Sequence, residues 1–374
     1  MSEKFSPLLG LPIDEDDVPV RVESAKLPEG PEPTLDVSVI IPARNEERRL
    51  PALLLSLLAQ DDEQFKLGRD WEILLVDDAS TDRTREAMRE AATGREAVVV
   101  LEAPPLDPKV FTGKSGACWF GATKAQGRYL LFTDADTIHE PRSVLHALYE
   151  AKKHHAELLS YSPKQIVTGM AQRVLMPLIF SELASTYKMK DVNDPEKRAA
   201  AANGQFLMME RAAYFAVGGH RAVGNKVLED VELAWNVKAS KRALRFRYAS
   251  DAVSTRMYEG FGDMVEGWTK NLAVLFPQAL ALVFWRMLDI VLLLLPLSLV
   301  LFPNLVRWQQ LAILLVWGRT LFRYYGRVAR SNFSWADVAI SPLGLPLYVV
   351  LLLRSWADHN LFHRVSWKGR EYRA

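Results

Sequence analysis

One cysteine, Cys118, stands in 374 residues. That scarcity excludes an internal disulfide and any multi-cysteine zinc cluster, and it suits a reducing compartment. Cys118 itself reads as a small packing residue. Charge of one sign is also lacking: 46 Lys and Arg against 45 Asp and Glu leave a formal net charge of +1. No global attraction to nucleic-acid phosphates follows, so no nucleic-acid partner is expected and any phosphate chemistry must come from a local site. Residues 1–36 are rich in Pro, Asp and Glu and contain no apolar run. They are therefore read as a flexible or surface-draped arm rather than a signal peptide. Glycine is missing from Pro42–Glu46, directly after the first apolar run. A nucleotidyltransferase-type phosphate loop and a dinucleotide-binding G-x-G-x-x-G would both need it there.

What the chain does have is apolar sequence, 49% of its residues. That is enough for one large core with a further hydrophobic element left over. From Val37 onward, short apolar runs alternate with stretches of helical periodicity, the pattern of an α/β domain in which helices cover a parallel sheet. The expected strands are Val37–Ile41, Glu72–Val76, Val98–Leu101 and Tyr129–Phe132, with helices over Glu46–Ala59, Asp82–Ala92 and around Ser115–Ala125. Ligands of such folds bind at the carboxyl ends of the strands. After about Asn271 three apolar segments follow, Met287–Phe302, Leu305–Tyr325 and Trp335–Leu353. Each approaches the ~20 residues of a bilayer span, and the flanking Trp, Tyr and Arg residues resemble an interfacial belt. The alternative is a buried helical subdomain. Arg286 and Asp289, at i and i+3, are expected to pair, and Pro342, Gly344 and Pro346 to break the third segment into a re-entrant hairpin. The domain layout is thus an arm (1–36), an α/β domain (37–271), membrane helices (272–354) and a basic tail (355–374).

Four constellations carry candidate chemistry. Pro42-Ala43-Arg44-Asn45-Glu46 follows the first strand and either presents backbone groups to a nucleotide or is a plain helix start capped by Asn45. Asp77-Asp78-Ala79-Ser80-Thr81-Asp82 follows the second strand and either accepts hydrogen bonds from a base or ribose or caps a helix. Thr133-Asp134-Ala135-Asp136, an Asp-x-Asp after a buried strand, offers hard oxygen ligands for Mg2+ or Mn2+ holding a diphosphate. Leu228-Glu229-Asp230-Val231 opens an amphipathic helix, where a carboxylate either complements the helix dipole or serves as a general base.

Seven stretches in order, VSVIIPARNE, LLVDDASTD, GKSGAC, LFTDAD, NGQF, LEDVELA and EGWTKNL, span roughly two thirds of the chain. In that order they resemble glycosyltransferase family 2. The resemblance implies a GT-A (Rossmann-like) nucleotide-sugar-binding domain followed by C-terminal transmembrane or membrane-interfacial helices. It implies that Pro42, Ala43 and Glu46 cradle the nucleotide and that Asp78 with Asp77 recognises the base. Asp134 would then contact ribose or sugar, Asp136 would ligate the metal, and Lys114 would lie near the nucleotide. Arg256 and Lys270 would add charge at the diphosphate, and Asp230 would be the base. Gly113-Lys114-Ser115, Ala202–Phe206, Gly218-Gly219-His220, Arg256-Met257-Tyr258 and Glu266–Lys270 are further similar to a bacterial membrane branch that includes carotenoid-acid and hopanoid-associated glycosyltransferases. A lipid acceptor and a cytoplasmic-membrane location with the catalytic domain facing the cytosol are the expectations from that branch. The Gln-x-x-Arg-Trp motif of processive polymer synthases is absent, and Gly267–Lys270 occupies the equivalent region. The competing readings are a nucleotidyltransferase and a non-catalytic membrane scaffold; retention of Asp78, Asp134, Asp136 and Asp230 argues against the scaffold.

Overall fold

The computed structural model describes residues 32–60, 62–105, 107, 110, 111, 114–362, 364–367 and 370–373. The expected arm up to residue 31, Gly113 and Lys368 lie outside the described residues. The chain folds as two compact units, one of residues 32–166 with Tyr187–Arg256, the other of Val167–Thr186 with residues 257–373.

The first unit contains β1 (Leu35–Ala43), α1 (Leu50–Leu58), β2 (Trp71–Asp77), α2 (Thr84–Ala92), β3 (Val98–Glu102), α3 (Ser115–Lys124), β4 (Gly127–Thr133), β5 (Thr137–His139), α4 (Ser143–Lys153), β6 (Leu158–Ser162) and β7 (Lys164–Gln165). The chain leaves it for α5 (Met170–Thr186), then returns with α6 (Met189–Val192), β8 (Phe206–Glu210), α7 (Arg211–Ala216), α8 (Gly219–Ala222), α9 (Glu229–Ala239), β9 (Leu244–Tyr248) and β10 (Val253–Thr255). Seven strands form one sheet in the order β3-β2-β1-β4-β8-β6-β9, and β5-β10-β7 form a second, smaller one. β1, β2, β3 and β4 run parallel, while β8 is antiparallel to both β4 and β6. Side chains alternate across a strand, so Val39 and Ile41 enter the core on one face and Ile40 the core on the other. Burial on both faces explains why these strands read as continuous apolar runs.

Helix α1 begins at Leu50, not at Glu46, and its capping position is Arg49 without a side-chain cap. Asn45 is therefore not its cap. It takes a left-handed backbone (φ 53°) and accepts a hydrogen bond from Thr81 N–H at 2.8 Å.

The second unit is helical: α5, α10 (Phe261–Leu275), α11 (Ala279–Leu293), α12 (Leu297–Leu301), α13 (Arg307–Val328), α14 (Trp335–Ile340) and α15 (Leu345–Asn360), then a hairpin of β11 (Arg364–Trp367) and β12 (Arg370–Arg373). Its core gathers Leu175 and Ile179 of α5, Trp268 and Leu272 of α10, and Tyr348 and Leu352 of α15. Arg286 lies 2.9 Å from Glu182 and 3.2 Å from Asp289, and Arg327 lies 2.7 Å from Asp289, which ties α5, α11 and α13 together. The expected hairpin break at Pro342–Pro346 is corrected: the run Trp335–Asn360 continues as one 26-residue helix, long and apolar enough to cross a membrane, half of it buried within the protein. A 3-10 turn at Ser341–Gly344 absorbs both prolines, since each sits in the first turn of its own segment, where no backbone N–H is needed. The sharp bend falls earlier, 112° between α10 and α11. The segment expected at Leu305–Tyr325 forms most of α13 but, with Arg307, Arg319 and Arg323 in it, does not meet the same criterion.

Candidate active site

The parallel strands β1, β2 and β4 are neighbours and end on the same edge, so the loops that follow them meet there. The first two loops are fastened to each other. Asn45 N–H donates to Ser80 Oγ (3.2 Å), Glu46 N–H to Thr84 Oγ1 (2.7 Å), and Asp78 N–H to the Ala43 carbonyl (2.9 Å). Asp77 is 1% exposed, and its carboxylate accepts from Ser80 N–H at 3.2 Å and from Arg85 at 2.7 Å. Asp78 is buried, and its carbonyl accepts from Arg44.

The Asp-x-Asp turn is held by hydroxyl groups. Thr137 Oγ1 donates to the Asp134 carbonyl (2.8 Å), and Thr255 Oγ1 and Arg256 N–H both donate to the Asp136 carbonyl (3.2 Å each). Thr133 Oγ1 donates to the Gln205 carbonyl at 2.9 Å, which joins the turn to the start of β8. With the backbone fixed, the two carboxylates have different partners. Asp134 receives Lys114 Nζ at 2.7 and 3.0 Å, and the same ammonium lies 3.4 Å from Glu229. Asp136 Oδ1 is buried with no hydrogen-bond partner among the described residues. Burial first, then the charges of Asp134 and Glu46, push the Asp136 carboxyl up to about 7, against Arg49 and Lys114.

Asp230, in the first turn of α9, accepts from Gly204 N–H at 2.7 Å and from Val231 N–H at 2.9 Å. Burial and the neighbouring Glu229 charge raise it to about 6, opposed by Lys114 and by those two N–H groups. A Cβ on Gly204 would lie 3.2 Å from Lys114 Nζ and 3.5 Å from Asp230 Oδ2, so that position keeps the space between them open.

Lys114, Asp134, Glu229 and Asp230 share one cleft with Pro42, Gly204, Cys118, Phe132, Thr133, Leu207 and His220, with about 260 Å³ of empty space open to solvent; Ala43, Glu46, Asp77, Asp78 and Asp136 are not part of its lining. The structure thus brings Pro42, Lys114, Asp134 and Asp230 together. Arg256 joins through its backbone at Asp136, and its exposed side chain pairs with no acid among the described residues. Lys270 lies on α10 in the helical unit, where its carbonyl accepts from His359. Sequence reasoning assigned no role to Glu229, Gly204, Tyr214 or His220. The signal for three of them was their place in the motif stretches, Gly204 in NGQF, Glu229 in LEDVELA and His220 in Gly218-Gly219-His220.

The mixed α/β sheet with helices on its faces has the GT-A fold. A solved mannosyltransferase from Pyrobaculum calidifontis, in complex with GDP-Man and Mn2+, superimposes with a TM-score of 0.50 over 89% of this chain and 90% of that one, at 16% identity. Residues 38–215 match the family model for glycosyl transferase family 2. The chain is a glycosyltransferase, similar to that family over a little under half of its length. Among its relatives, 4,4'-diaponeurosporenoate glycosyltransferase of Staphylococcus haemolyticus (strain JCSC1435) is 29% identical over 349 residues, 91% of this chain and 89% of the relative. Its namesake from Staphylococcus aureus (strain USA300) is 28% identical over 350 residues, 90% and 88% of the two chains.

Proposed function

We propose that the chain transfers a sugar from a nucleoside-diphosphate sugar to a lipid-type acceptor (isoprenoid, carotenoid, hopanoid or glycerolipid) at the cytoplasmic membrane, with inversion at the anomeric carbon and the catalytic domain facing the cytosol. The observation that carries this reading is one cleft holding the Lys114–Asp134 pair and the Asp230 carboxylate beside a buried, unpartnered oxygen of Asp136. The name of the staphylococcal relatives supports a carotenoid-acid type of acceptor. The apolar side chains exposed by the helical unit, among them Phe284, Leu301, Trp308 and Phe322 at 62–83% exposure, support a lipid surroundings.

A divalent cation, Mg2+ or Mn2+, fits Asp136, because an unpartnered buried oxygen on a carboxyl raised by burial and then by two neighbouring acids is relieved by a cation. No group of three or more His, Cys, Asp or Glu able to hold a metal occurs among the described residues, and an ion held by Asp136 would have room for oxygens of donor and solvent. When bound, such an ion supplies electrostatic stabilisation of the leaving diphosphate.

The chain's own groups do the rest. Pro42, Ala43, Glu46 and Asp78 form the nucleotide cradle. Asp77, committed to Arg85 and Ser80, holds that loop in shape instead of meeting the base. Lys114, now shared by Asp134 and Glu229, turns its ammonium to donor oxygens when they arrive, and Arg256 adds positive charge for the diphosphate. Asp230 takes the proton from an acceptor hydroxyl on the side opposite the leaving group, and a value near 6 leaves it ionised at neutral pH. A carboxylate acceptor would arrive already ionised and would not need it.

The test uses full-length protein in detergent with Mn2+, a panel of nucleotide sugars and a total lipid extract, measuring released nucleoside diphosphate. Lipid-dependent release that disappears in Asp136→Ala is the expected result. No release and no nucleotide binding with any donor would replace this reading with a non-catalytic membrane scaffold.

A further inference from the structure

The reaction as read leaves one polar wall residue of the cleft without a task. His220 lines the cleft yet is only 4% exposed, and its surroundings determine which nitrogen carries the proton. Its own backbone N–H donates to Tyr214 Oη at 3.1 Å. The same hydroxyl lies 2.9 Å from His220 Nδ1. A tyrosine hydroxyl has one proton to give. Tyr214 is fully buried, and among the described residues Nδ1 is the one acceptor within reach of its hydroxyl proton; satisfying that proton makes Nδ1 the acceptor and places the hydrogen of a neutral ring on Nε2.

The ring is neutral for a physical reason. Burial lowers its pKa to about 4, and the Glu229 charge only partly offsets this, with Lys114 acting in the same direction as burial. Nε2 has no hydrogen-bond partner among the described residues; the contacts of His220 are those to Tyr214 and an edge-on packing against Phe132 at 4.6 Å between ring centroids.

The local backbone is shaped to allow this. Gly218 and Gly219 have φ of 80° and 49°, in the left-handed region, and a Cβ on Gly219 would lie 2.5 Å from the Tyr214 ring. The pair of glycines therefore brings the tyrosine directly beneath the histidine. A buried donor of fixed tautomer, facing a cleft lined by Lys114, Asp134, Glu229 and Asp230, has a use if an oxygen of the bound ligand meets it.

We infer that His220 is a donor-recognition residue: its neutral Nε2–H, locked by Tyr214, donates a hydrogen bond to an oxygen of the nucleotide sugar held in the cleft. The oxygen belongs either to a hydroxyl of the transferred sugar or to the diphosphate. This rests on the nucleotide-sugar reading above. Tyr214 acts through His220 and is a positioning residue.

Full-length protein in detergent with Mn2+ tests it by titration calorimetry against each nucleoside-diphosphate sugar and the matching nucleoside diphosphate alone. His220→Phe keeps a ring but removes the donor, and is expected to weaken nucleotide-sugar binding about tenfold, the scale of one neutral hydrogen bond. His220→Gln, which returns an N–H near Nε2, is expected to recover most of it. A loss confined to the nucleotide sugar assigns the sugar hydroxyl, and an equal loss on the nucleoside diphosphate assigns the phosphate.

Unchanged affinity in a folded His220→Phe protein overturns the inference while leaving the proposed function intact. Failure of the unsubstituted protein to bind any donor instead removes the function it rests on. Should the Phe variant misfold, 15N NMR of histidine-labelled protein decides: an Nε2–H tautomer for His220 that is lost in Tyr214→Phe supports the inference, and an Nδ1–H tautomer in the unsubstituted protein overturns it.

Discussion

Asp230 and Glu229 are adjacent on α9 but face different demands. Asp230 is fastened by two backbone N–H groups, whereas Glu229 shares Lys114 with Asp134. Deprotonated Asp230 is the active base, so with a hydroxyl acceptor kcat/KM is expected to be level above its raised value of about 6 and to fall about tenfold per pH unit below it. The Glu229 charge is one cause of that elevation, after burial. In Glu229→Gln the acidic limb is therefore expected to move to lower pH, since an ionised neighbour no longer resists ionisation of Asp230. Asp230→Asn is expected to lose about 10²–10⁴-fold in kcat and to show no limb at all. A pH–rate series on the three proteins with one donor and one hydroxyl acceptor checks this, and an unmoved limb in Glu229→Gln would show that burial alone sets the value.

At the scale of elements, the strands were the most legible part of the sequence. A strand buried on both faces must be apolar throughout, and β1, β2 and β4 extend the expected runs by one or two residues at each end. The strand-end position of Asp134 and Asp136 followed from that. What was not legible depends on pairing between distant segments. Asn45 reads locally as a cap but bonds to Thr81 in the next loop, so α1 begins a turn later. The tautomer of His220 depends on Tyr214, and the spare oxygen of Asp136 on burial that no local motif encodes. Gly127 is a third case. It opens β4 with nothing special in its neighbourhood of sequence, yet its N–H donates to Ser38 Oγ at 2.7 Å inside a buried Ser38–Glu72–Gln126 network. A Cβ there would run into the Ser38 backbone. Gly127→Ala must separate β4 from β1 and is expected to cost roughly 1–3 kcal/mol. The thermal midpoint should drop by several degrees, whereas Gly169→Ala, with nothing within 4 Å of the added carbon, leaves it in place.

At the scale of the whole chain, the two units are interleaved in sequence. Reading residues 37–271 as one domain follows from the motif order, which runs without interruption from β1 to α10. Helix α5 nevertheless sits inside that span and belongs to the helical unit. It was not legible because a buried helix inserted between two motif blocks looks like any other α/β helix. Its Leu175 and Ile179 are fully buried in a core whose buried members outside α5 come from residues 258–352. Cutting the chain after Arg256 leaves the sheet complete but removes the partners of α5, exposing a face of Leu175, Met176, Leu178, Ile179 and Phe180. Such a patch drives aggregation. The truncated protein is expected to be insoluble without detergent. Replacing Val167–Thr186 in the same truncation by a glycine-serine segment of equal length, which keeps the reach between Ile166 and Tyr187, is expected to restore a soluble monomer. Size-exclusion chromatography of the two truncations decides the matter. If both aggregate, the α/β unit depends on the helical unit for more than the burial of α5; if both are soluble, α5 does not need its core partners to be sheltered from water.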